Sequence, residues 1–374
     1  MPEIRARRWL PTVWLGCIAL LGGLLAGACG PSAAPAGAPA APKAASAPAG
    51  SGPAAAVPAA GGAAAQATSA PAPIALRVAY ASPGAALAPV WIAFEQGLFR
   101  EQGLDVDLVF LSGTRTDQGV VSGDTPIGFG TNVVPTRLAG ADVAAIAGVV
   151  SRISGELYAR PGIATPQDLR GKVVSSTLPG ATISVATVMV LRHFGLEPGR
   201  DVTIQTTGGS PEKFALVVQG LADATLLAPP DDLKAVEQGL TAIADITPLD
   251  IPIVYTAVGA MTPWARDHGE EVRRFLRGYV NAVALARRDP EVARALIAKY
   301  TQTDDMAQVD HAYRFYRDVW GRPDFRLPPA AVASVLHVLD TPGADTAKPE
   351  DFIDNHFIDE LHDSGFIRQS GALD

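Results

Sequence analysis

The chain has 374 residues, enough for two domains, and carries 30 Lys and Arg against 38 Asp and Glu, a formal net charge of −8. A nucleic-acid partner would require a basic surface that displaces counterions from phosphates, so this acidic balance argues against nucleic-acid binding. The net charge does not indicate the fold, because it bears on solubility and on electrostatic steering.

The N-terminus has the organisation of an export signal. Three arginines stand before an apolar run from Val13 to Gly27, at positions Arg5, Arg7 and Arg8. Small residues follow this run, as in the cleavable part of a signal peptide. The alternative is an uncleaved span over Trp9–Ala28, which has about the length needed to cross a bilayer.

Cys29 ends the string LLAGAC, which resembles the lipobox of bacterial lipoproteins. This resemblance implies that residues 1–28 are a lipoprotein signal peptide and that Cys29 is lipidated. Residues 30–73 are almost entirely Ala, Pro, Gly and Ser, with Lys43 as the only charge, so 29–73 is predicted to be the lipidated cysteine and a disordered linker.

The second cysteine, Cys17, lies inside the predicted signal. The mature body is therefore expected to have no disulfide, no thiolate nucleophile and no cysteine metal ligand.

The first half of the body alternates strands and helices. IALRVAY alternates apolar and small or polar residues, which indicates a strand. The predicted order is a strand at 74–80, a helix at 87–97 ending on Gly97, a strand at 104–111, a loop at 112–119, a helix at 118–122, a strand at 126–130, a helix at 133–139 and a strand at 143–150. This alternation is typical of an α/β domain with a largely parallel sheet.

The same alternation restarts after Gly171. The predicted strands are 172–176, 201–207, 224–228, 240–246 and 253–261, and the predicted helices between them are 182–195, 211–220 and 230–239. Beyond 261 the chain is predicted to be helical, and Asp289 and Pro290 have the residue types of an N-cap and a first-turn proline. The two halves therefore predict two small doubly wound sheets.

Four sequence blocks resemble the substrate-binding proteins of bacterial ABC importers, in the branch that takes up nitrate, taurine, alkane sulfonates or thiamin-precursor pyrimidines. They are VWIAFEQGLFREQGLDVDLVFLSGTR, IATPQDLRGKVVSS, GGSPEKFALVVQGLADATLLAPP and KPEDFIDNHFIDELHDSGFI. The resemblance implies an α/β fold of the two-lobe periplasmic-binding-protein type (type II), each lobe a doubly wound mixed or parallel sheet, with the ligand cleft between the lobes. It implies lobe 1 at 74–165 and 255–374, lobe 2 at 166–254, and hinge closure on ligand.

Loops at the strand ends are the expected site, because ligands of open α/β sheets bind at the carboxyl ends of the strands. Six such loops are rich in glycine and small polar residues, and Arg115 is their only charged residue. The candidate ligand-binding residues are Ser82, Ser112, Thr114, Arg115, Thr131, Asn132, Gly180, Ala181, Thr182 and Ala228.

The stretch STLPGATISVAT holds the most informative of these loops. Gly180 would let the backbone approach a ligand, and the helix N-terminus with the Thr182 hydroxyl would favour a polar or anionic group. The alternative is an ordinary loop in which Thr182 serves only as the N-cap.

Other candidates also have two interpretations. Thr131 and Asn132 could donate hydrogen bonds to ligand oxygens or form a local turn. Arg115 could hold a sulfonate, nitrate or carboxylate in a bidentate manner, or be a solvated loop residue near Asp117. Trp91 has the helical position of a core residue more than of a ligand platform.

No pattern of catalytic or metal-binding residues stands out. His356 and His362 are six residues apart and so lie on different faces of a helix, and the sequence contains no nucleophile elbow, zinc-protease or P-loop string. Acidic pairs such as Asp231 and Asp232 are predicted to be helix-start or surface charges. We expect no catalytic residue, no metal and no cofactor.

The sequence thus predicts an exported, lipid-anchored, non-enzymatic solute-binding protein. It would capture a sulfonate, a nitrate-like anion or a pyrimidine-like heterocycle and deliver it to an ABC permease with its ATPase. The protein is expected to be a monomer, attached to the membrane through Cys29. The alternatives are an enzyme on the same fold and a ligand-sensing binding module.

Overall fold

The structure is a computed structural model and describes residues 72–207 and 209–374. The predicted signal peptide, the lipidation of Cys29 and the linker up to residue 71 lie outside the described residues. Its strands are β1 (Ile74–Tyr80), β2 (Leu104–Phe110), β3 (Ile127–Phe129), β4 (Val143–Arg152), β5 (Glu156–Ala159), β6 (Val173–Thr177), β7 (Thr203–Thr207), β8 (Ala224–Leu227), β9 (Thr241–Asp245) and β10 (Pro252–Met261).

These strands form two five-stranded sheets of the same design. The orders are β2-β1-β3-β10-β4 and β7-β6-β8-β5-β9. In each sheet three parallel strands are followed by an antiparallel strand, β10 in the first and β5 in the second. Each of these antiparallel strands comes directly after the chain has left the other sheet. The result confirms the predicted two-lobe α/β fold with mixed sheets.

The helices cover the sheets and fill the C-terminal part. They are α1 (Ala88–Glu95), α2 (Leu98–Glu101), α3 (Thr114–Ser122), α4 (Val133–Leu138), α5 (Thr182–His193), α6 (Ser210–Val218), α7 (Asp231–Glu237), α8 (Thr262–Asp267), α9 (Gly269–Arg288), α10 (Pro290–Thr301), α11 (Met306–Arg317), α12 (Pro329–Val338), α13 (His356–Asp363) and α14 (Phe366–Ser370). We call the first sheet and the helices α1–α4 and α8–α14 lobe 1, and the second sheet with α5–α7 lobe 2. No helix within the described residues is both long and apolar enough to span a membrane.

The chain crosses between the sheets twice, and the two crossings run side by side. The amide of Ile153 donates to the carbonyl of Ile251 over 2.9 Å, and an ion pair of 2.6 Å joins Arg152 to Asp250. The chain leaves the first sheet after β4 and returns with β10. The boundary predicted at 165 is therefore about ten residues too late, because β5 belongs to the second sheet; the return at 252 is close to the predicted 255.

The core of lobe 1 contains its largest aromatic residues. Trp91 of α1 is fully buried and stacks on Tyr300 of α10, with ring centroids 4.6 Å apart. This confirms the core interpretation of Trp91. The side chain of Asp289 accepts a hydrogen bond from the amide of Val292, which confirms the predicted cap of α10.

A second core cluster is continuous between the two lobes. It includes Val133 of α4, Val185 of α5 and Val332 of α12, all nearly inaccessible to solvent. Helix α12 contacts both α5 and β10. Apolar packing beside the crossings therefore adds to the two covalent connections between the lobes.

The structure corrects two predicted elements. Helix α3 begins at Thr114, within the segment 112–119 predicted to be a loop. Strand β5 is absent from the prediction, since four residues without clear alternation carry no strand signal.

Candidate ligand-binding site between the lobes

The carboxyl ends of the lobe 1 strands are held together by hydrogen bonds between their loops. The amide of Gly113, after β2, donates to the carbonyl of Ala81, after β1, over 3.3 Å. The amide of Ala81 in turn donates to the carbonyl of Phe129, at the end of β3, over 3.0 Å. The three loops thus lie at one edge of the sheet, where an open α/β fold binds ligands.

One pocket lies where this edge meets lobe 2. Its lining comes from α4, α5, β10 and α12 and from the loop before α5: Asn132, Val133, Val134, Pro135, Gly180, Thr182, Val185, Ile253, Val254 and Val335. We call it the interlobe pocket. Its volume is about 20 Å³, room for about one water molecule, so the two lobes pack closely against each other here.

The polar end of the interlobe pocket joins the two lobes directly. The hydroxyl of Thr182, in lobe 2, donates to Oδ1 of Asn132, in lobe 1, over 3.4 Å. Ala181 is the N-cap of α5 and Thr182 is the first residue inside the helix. The interpretation of Thr182 as an N-cap is therefore wrong, and its side chain is free to face the other lobe.

Gly180 permits the turn that brings Thr182 to this position. Its φ is +82°, in the left-handed region that favours glycine. Leu178 and Pro179, just before it, are exposed. The main chain therefore reaches the pocket at Gly180 and enters α5 immediately afterwards.

Asp117 of α3 holds Asn132 in place. One carboxylate oxygen accepts from the backbone amide of Asn132 over 2.8 Å, and the other accepts from Nδ2 over 3.0 Å. The Asp117 residue is 7% exposed. Burial raises the pKa of Asp117, while the two hydrogen bonds from Asn132 oppose that rise. Sequence reasoning missed this role, because a helix over 114–122 is needed to turn Asp117 inward.

The remaining candidates do not line the interlobe pocket. Thr131 is buried and its hydroxyl donates to the carbonyl of Gly128 over 2.9 Å, so it serves the local turn. Oγ of Ser82 accepts from the amide of Gly84 over 3.0 Å. The other members are exposed or half-buried in neighbouring loops: Ser112, Thr114, Arg115, Ala181 and Ala228.

A second polar contact joins the lobes through residues that the sequence did not single out as a site. Nε2 of His311, in α11, lies 2.6 Å from Oδ2 of Asp232, in α7. The two residues are 79 positions apart, so only the fold brings them together. Asp232 lies in the first turn of α7, which confirms the predicted helix-start charge, whereas the surface-charge alternative is wrong because the residue is only 6% exposed.

Lys213 of α6 is a buried lysine in lobe 2. Its ammonium donates to the carbonyl of Leu226 at the end of β8, and Oγ of Ser175 donates to the Lys213 carbonyl over 2.7 Å. Burial lowers the pKa of Lys213 to about 8, and the charge of Asp231 opposes this shift. The charged form of Lys213 is thus destabilised by its burial in lobe 2.

Residues 85–293 match the model of the NMT1/THI5-like family. No curated protein matches the chain.

Solved structures support the fold. The alkanesulfonate-binding protein SsuA from Xanthomonas axonopodis pv. citri has a TM-score of 0.60 at 18% identity, over 76% of this chain and 97% of that one. The periplasmic aliphatic sulphonate-binding protein SsuA from Escherichia coli has a TM-score of 0.59 at 19% identity, over 81% and 91%. The periplasmic nitrate-binding protein NrtA from Synechocystis PCC 6803 has a TM-score of 0.64 at 14% identity, over 78% and 89%. This chain therefore has the fold of periplasmic binding proteins.

Proposed function

Since the chain belongs to the NMT1/THI5-like family, we propose that it is an extracytoplasmic solute-binding lipoprotein. It captures a small molecule between its lobes by hinge closure and delivers that molecule to an ABC permease with its ATPase. The relatives named above suggest sulfonates or nitrate-like anions as ligands, and the resemblance seen in the sequence adds pyrimidine-like heterocycles. Binding, not catalysis, is its role.

The contact between Thr182 and Asn132 is the observation that carries this proposal. Two polar side chains from opposite lobes meet at the polar end of an otherwise apolar pocket. A ligand group that accepts from the Thr182 hydroxyl and also donates to Oδ1 of Asn132 exchanges one protein–protein hydrogen bond for two to the ligand, so its binding favours the closed arrangement around it. The loops of Ser82, Ser112 to Arg115 and Ala228 follow neighbouring strands and would contribute further ligand contacts.

Two parallel crossings support hinge closure. The segments 153–155 and 246–251 are short and lie side by side, as expected for a hinge that absorbs the change of backbone angles. The permease would then recognise the ligand-bound protein through surfaces of both lobes that come together only in the closed state.

The test is ligand-dependent compaction of the whole protein. We expect small-angle scattering and thermal shift to respond to at least one member of a panel of sulfonates, nitrate, carboxylates and pyrimidines. Absence of any response across the panel, with a native mass spectrum showing no retained small molecule, would contradict a binding function.

Membrane anchoring through Cys29 needs a separate experiment. Metabolic labelling with palmitate should mark the wild-type protein and be lost in Cys29→Ala. Labelling that persists in this variant would contradict lipidation at Cys29 and leave the binding function untouched.

A further inference from the structure

Asp117 is a buried carboxylate whose polar contacts are all made with one residue. Both oxygens accept from Asn132, one from the backbone amide and one from Nδ2. Within residues 72–207 and 209–374 Asp117 forms no ion pair, since its only polar partner is Asn132, and its neighbour Arg115 is exposed. The negative charge beside the interlobe pocket is thus balanced by hydrogen bonds alone.

This arrangement fixes which end of the Asn132 amide faces the pocket. An ionised carboxylate can only accept hydrogen bonds, so the NH₂ group of Asn132 must point at Asp117. The carbonyl oxygen Oδ1 then points the other way, where the Thr182 hydroxyl donates to it over 3.4 Å. The lobe 1 side of the pocket therefore presents a hydrogen-bond acceptor, whereas the sequence predicts Asn132 either as a donor to ligand oxygens or as part of a local turn.

We propose that Asp117 is a positioning residue that makes the interlobe pocket selective for a ligand group that donates a hydrogen bond, such as an ammonium, an amide N–H or a hydroxyl. This inference rests on the proposed binding function. Among the ligand classes proposed there, it favours pyrimidine-like heterocycles that carry a hydrogen-bond donor over sulfonates and nitrate-like anions. A sulfonate or nitrate offers only acceptors, and it would leave Oδ1 of Asn132 unpaired or in contact with another acceptor.

The N-terminus of α5 favours an anionic ligand, but its electrostatic effect is smaller than that of the Asp117 carboxylate. A helix N-terminus carries the equivalent of about half a positive charge, and its effect falls off within the first turn. When ionised, Asp117 carries a full negative charge in a buried position, where charges are screened less than at the surface. The charges beside the interlobe pocket thus favour a neutral or cationic donor over an anion.

Asp117→Asn tests the inference because it reverses the hydrogen-bond pattern with almost no change of shape. The new amide can accept from the backbone of Asn132 and donate to Oδ1, which turns the NH₂ group of Asn132 toward the pocket. Asp124→Asn is the control, since it removes a carboxylate from an exposed position just after the same helix.

The probes are matched pairs that share a scaffold: propylammonium with propanesulfonate, and benzamide with benzenesulfonate, with nitrate in addition. Affinities are measured on the whole protein by calorimetry, and thermal melting shows that each variant is folded. We expect the wild type and Asp124→Asn to bind the donor of a pair at least about tenfold more tightly, a difference that one unpaired buried acceptor can produce. In Asp117→Asn this preference should fall about tenfold or reverse.

If Asp117→Asn does not melt as a folded protein, Asn132→Ala takes its place and should lose the preference without reversing it. A wild type that prefers the sulfonates, or a folded Asp117→Asn with the wild-type preference, would overturn the inference and leave the binding function standing. A wild type that binds no probe, responds to no member of the wider panel of sulfonates, nitrate, carboxylates and pyrimidines, and retains no small molecule would contradict the proposed function, and this inference with it.

Discussion

Nε2 of His311 lies 2.6 Å from Oδ2 of Asp232, and the two side chains come from opposite lobes. Asp232 is buried, whereas the His311 side chain is one-third exposed. Together with the contact between Thr182 and Asn132, this pair gives the closed arrangement two polar connections at separate points of the interface. Opening of the lobes has to break both.

Replacing His311 should therefore shift the protein toward the open state. We expect His311→Ala to weaken closure by at most about 1 kcal/mol, because a partly exposed pair of this kind contributes no more. The distance between two spectroscopic labels, one on each lobe, would measure the change in the population of the open state. His193→Ala is the control, since His193 is exposed on lobe 2, and an equal shift in both variants would contradict a role for the pair.

Gly155, in the first crossing, should tolerate no side chain. Its φ is +126°, and a Cβ atom there would lie 2.2 Å from the carbonyl oxygen of Leu227. We expect Gly155→Ala to lower the free energy of unfolding by on the order of 2–4 kcal/mol, measured by urea denaturation.

Gly162 provides the matched control for Gly155. It also has a positive φ, +93°, but a Cβ atom added there would have no neighbour within 4 Å. Gly162→Ala should therefore cost only about 1 kcal/mol, which reflects the backbone conformation alone. Equal losses in the two variants would show that the contact with Leu227 is unimportant.

Most of the fold could be predicted from the sequence, because local patterns decide its longer elements. The alternation in IALRVAY and the small residue before α5 place β1 and the turn at Gly180 where the structure has them. The start of α3 could not be predicted in this way, since its first turn, TRTD, is polar and follows a glycine. A helix that begins there has no apolar periodicity until Val120.

The sequence predicts which loops form the candidate site, but it does not predict which side chains contact one another there. The meeting of the loops of Asn132 and Thr182 could be predicted because strand-end loops of α/β folds lie at one edge, and the role of these two residues as ligand contacts stays a prediction. Which end of the Asn132 amide faces the pocket depends on Asp117. Asp117 is fifteen residues away in the sequence, and the fold directs its side chain inward. The pair of His311 with Asp232 likewise arises only when the chain returns to lobe 1.

Thr182→Val should separate the hydroxyl from the shape of its side chain. The variant keeps the volume at the start of α5 but leaves Oδ1 of Asn132 without its donor in the closed state. We expect affinity for a bound solute to fall about tenfold, because the ligand then loses its hydrogen bond to the Thr182 hydroxyl.

Calorimetry on the whole protein measures this loss in affinity. Thr301→Val is the control, because its hydroxyl donates to the carbonyl of Ile297 within α10, outside the lining of the interlobe pocket. Unchanged affinity in Thr182→Val would remove Thr182 from the set of ligand contacts.

Lys213 should give the free energy of unfolding a recognisable pH dependence. Burial lowers its pKa from 10.5 to about 8 in the folded protein. Between these values the unfolded chain binds more protons than the folded chain, so stability rises as the pH increases from 8 toward 10. The full gain is at most about 3 kcal/mol. Above pH 10 buried tyrosines reverse the trend, because burial raises the pKa of Tyr255 to about 12.

Urea denaturation between pH 7 and 10 would reveal this gain as the difference between the wild type and Lys213→Met. The variant replaces the ammonium by an apolar side chain of similar length, so its stability should lack the rise seen in the wild type. Lys234→Met is the control: Lys234 is partly exposed in the same lobe and pairs with Asp231 over 3.3 Å. It should keep the wild-type rise, since the buried charge of Lys213 is still present. Parallel pH profiles for wild type and Lys213→Met would show that the ammonium is solvated in the folded protein, because only a desolvated charge titrates so far below its usual range.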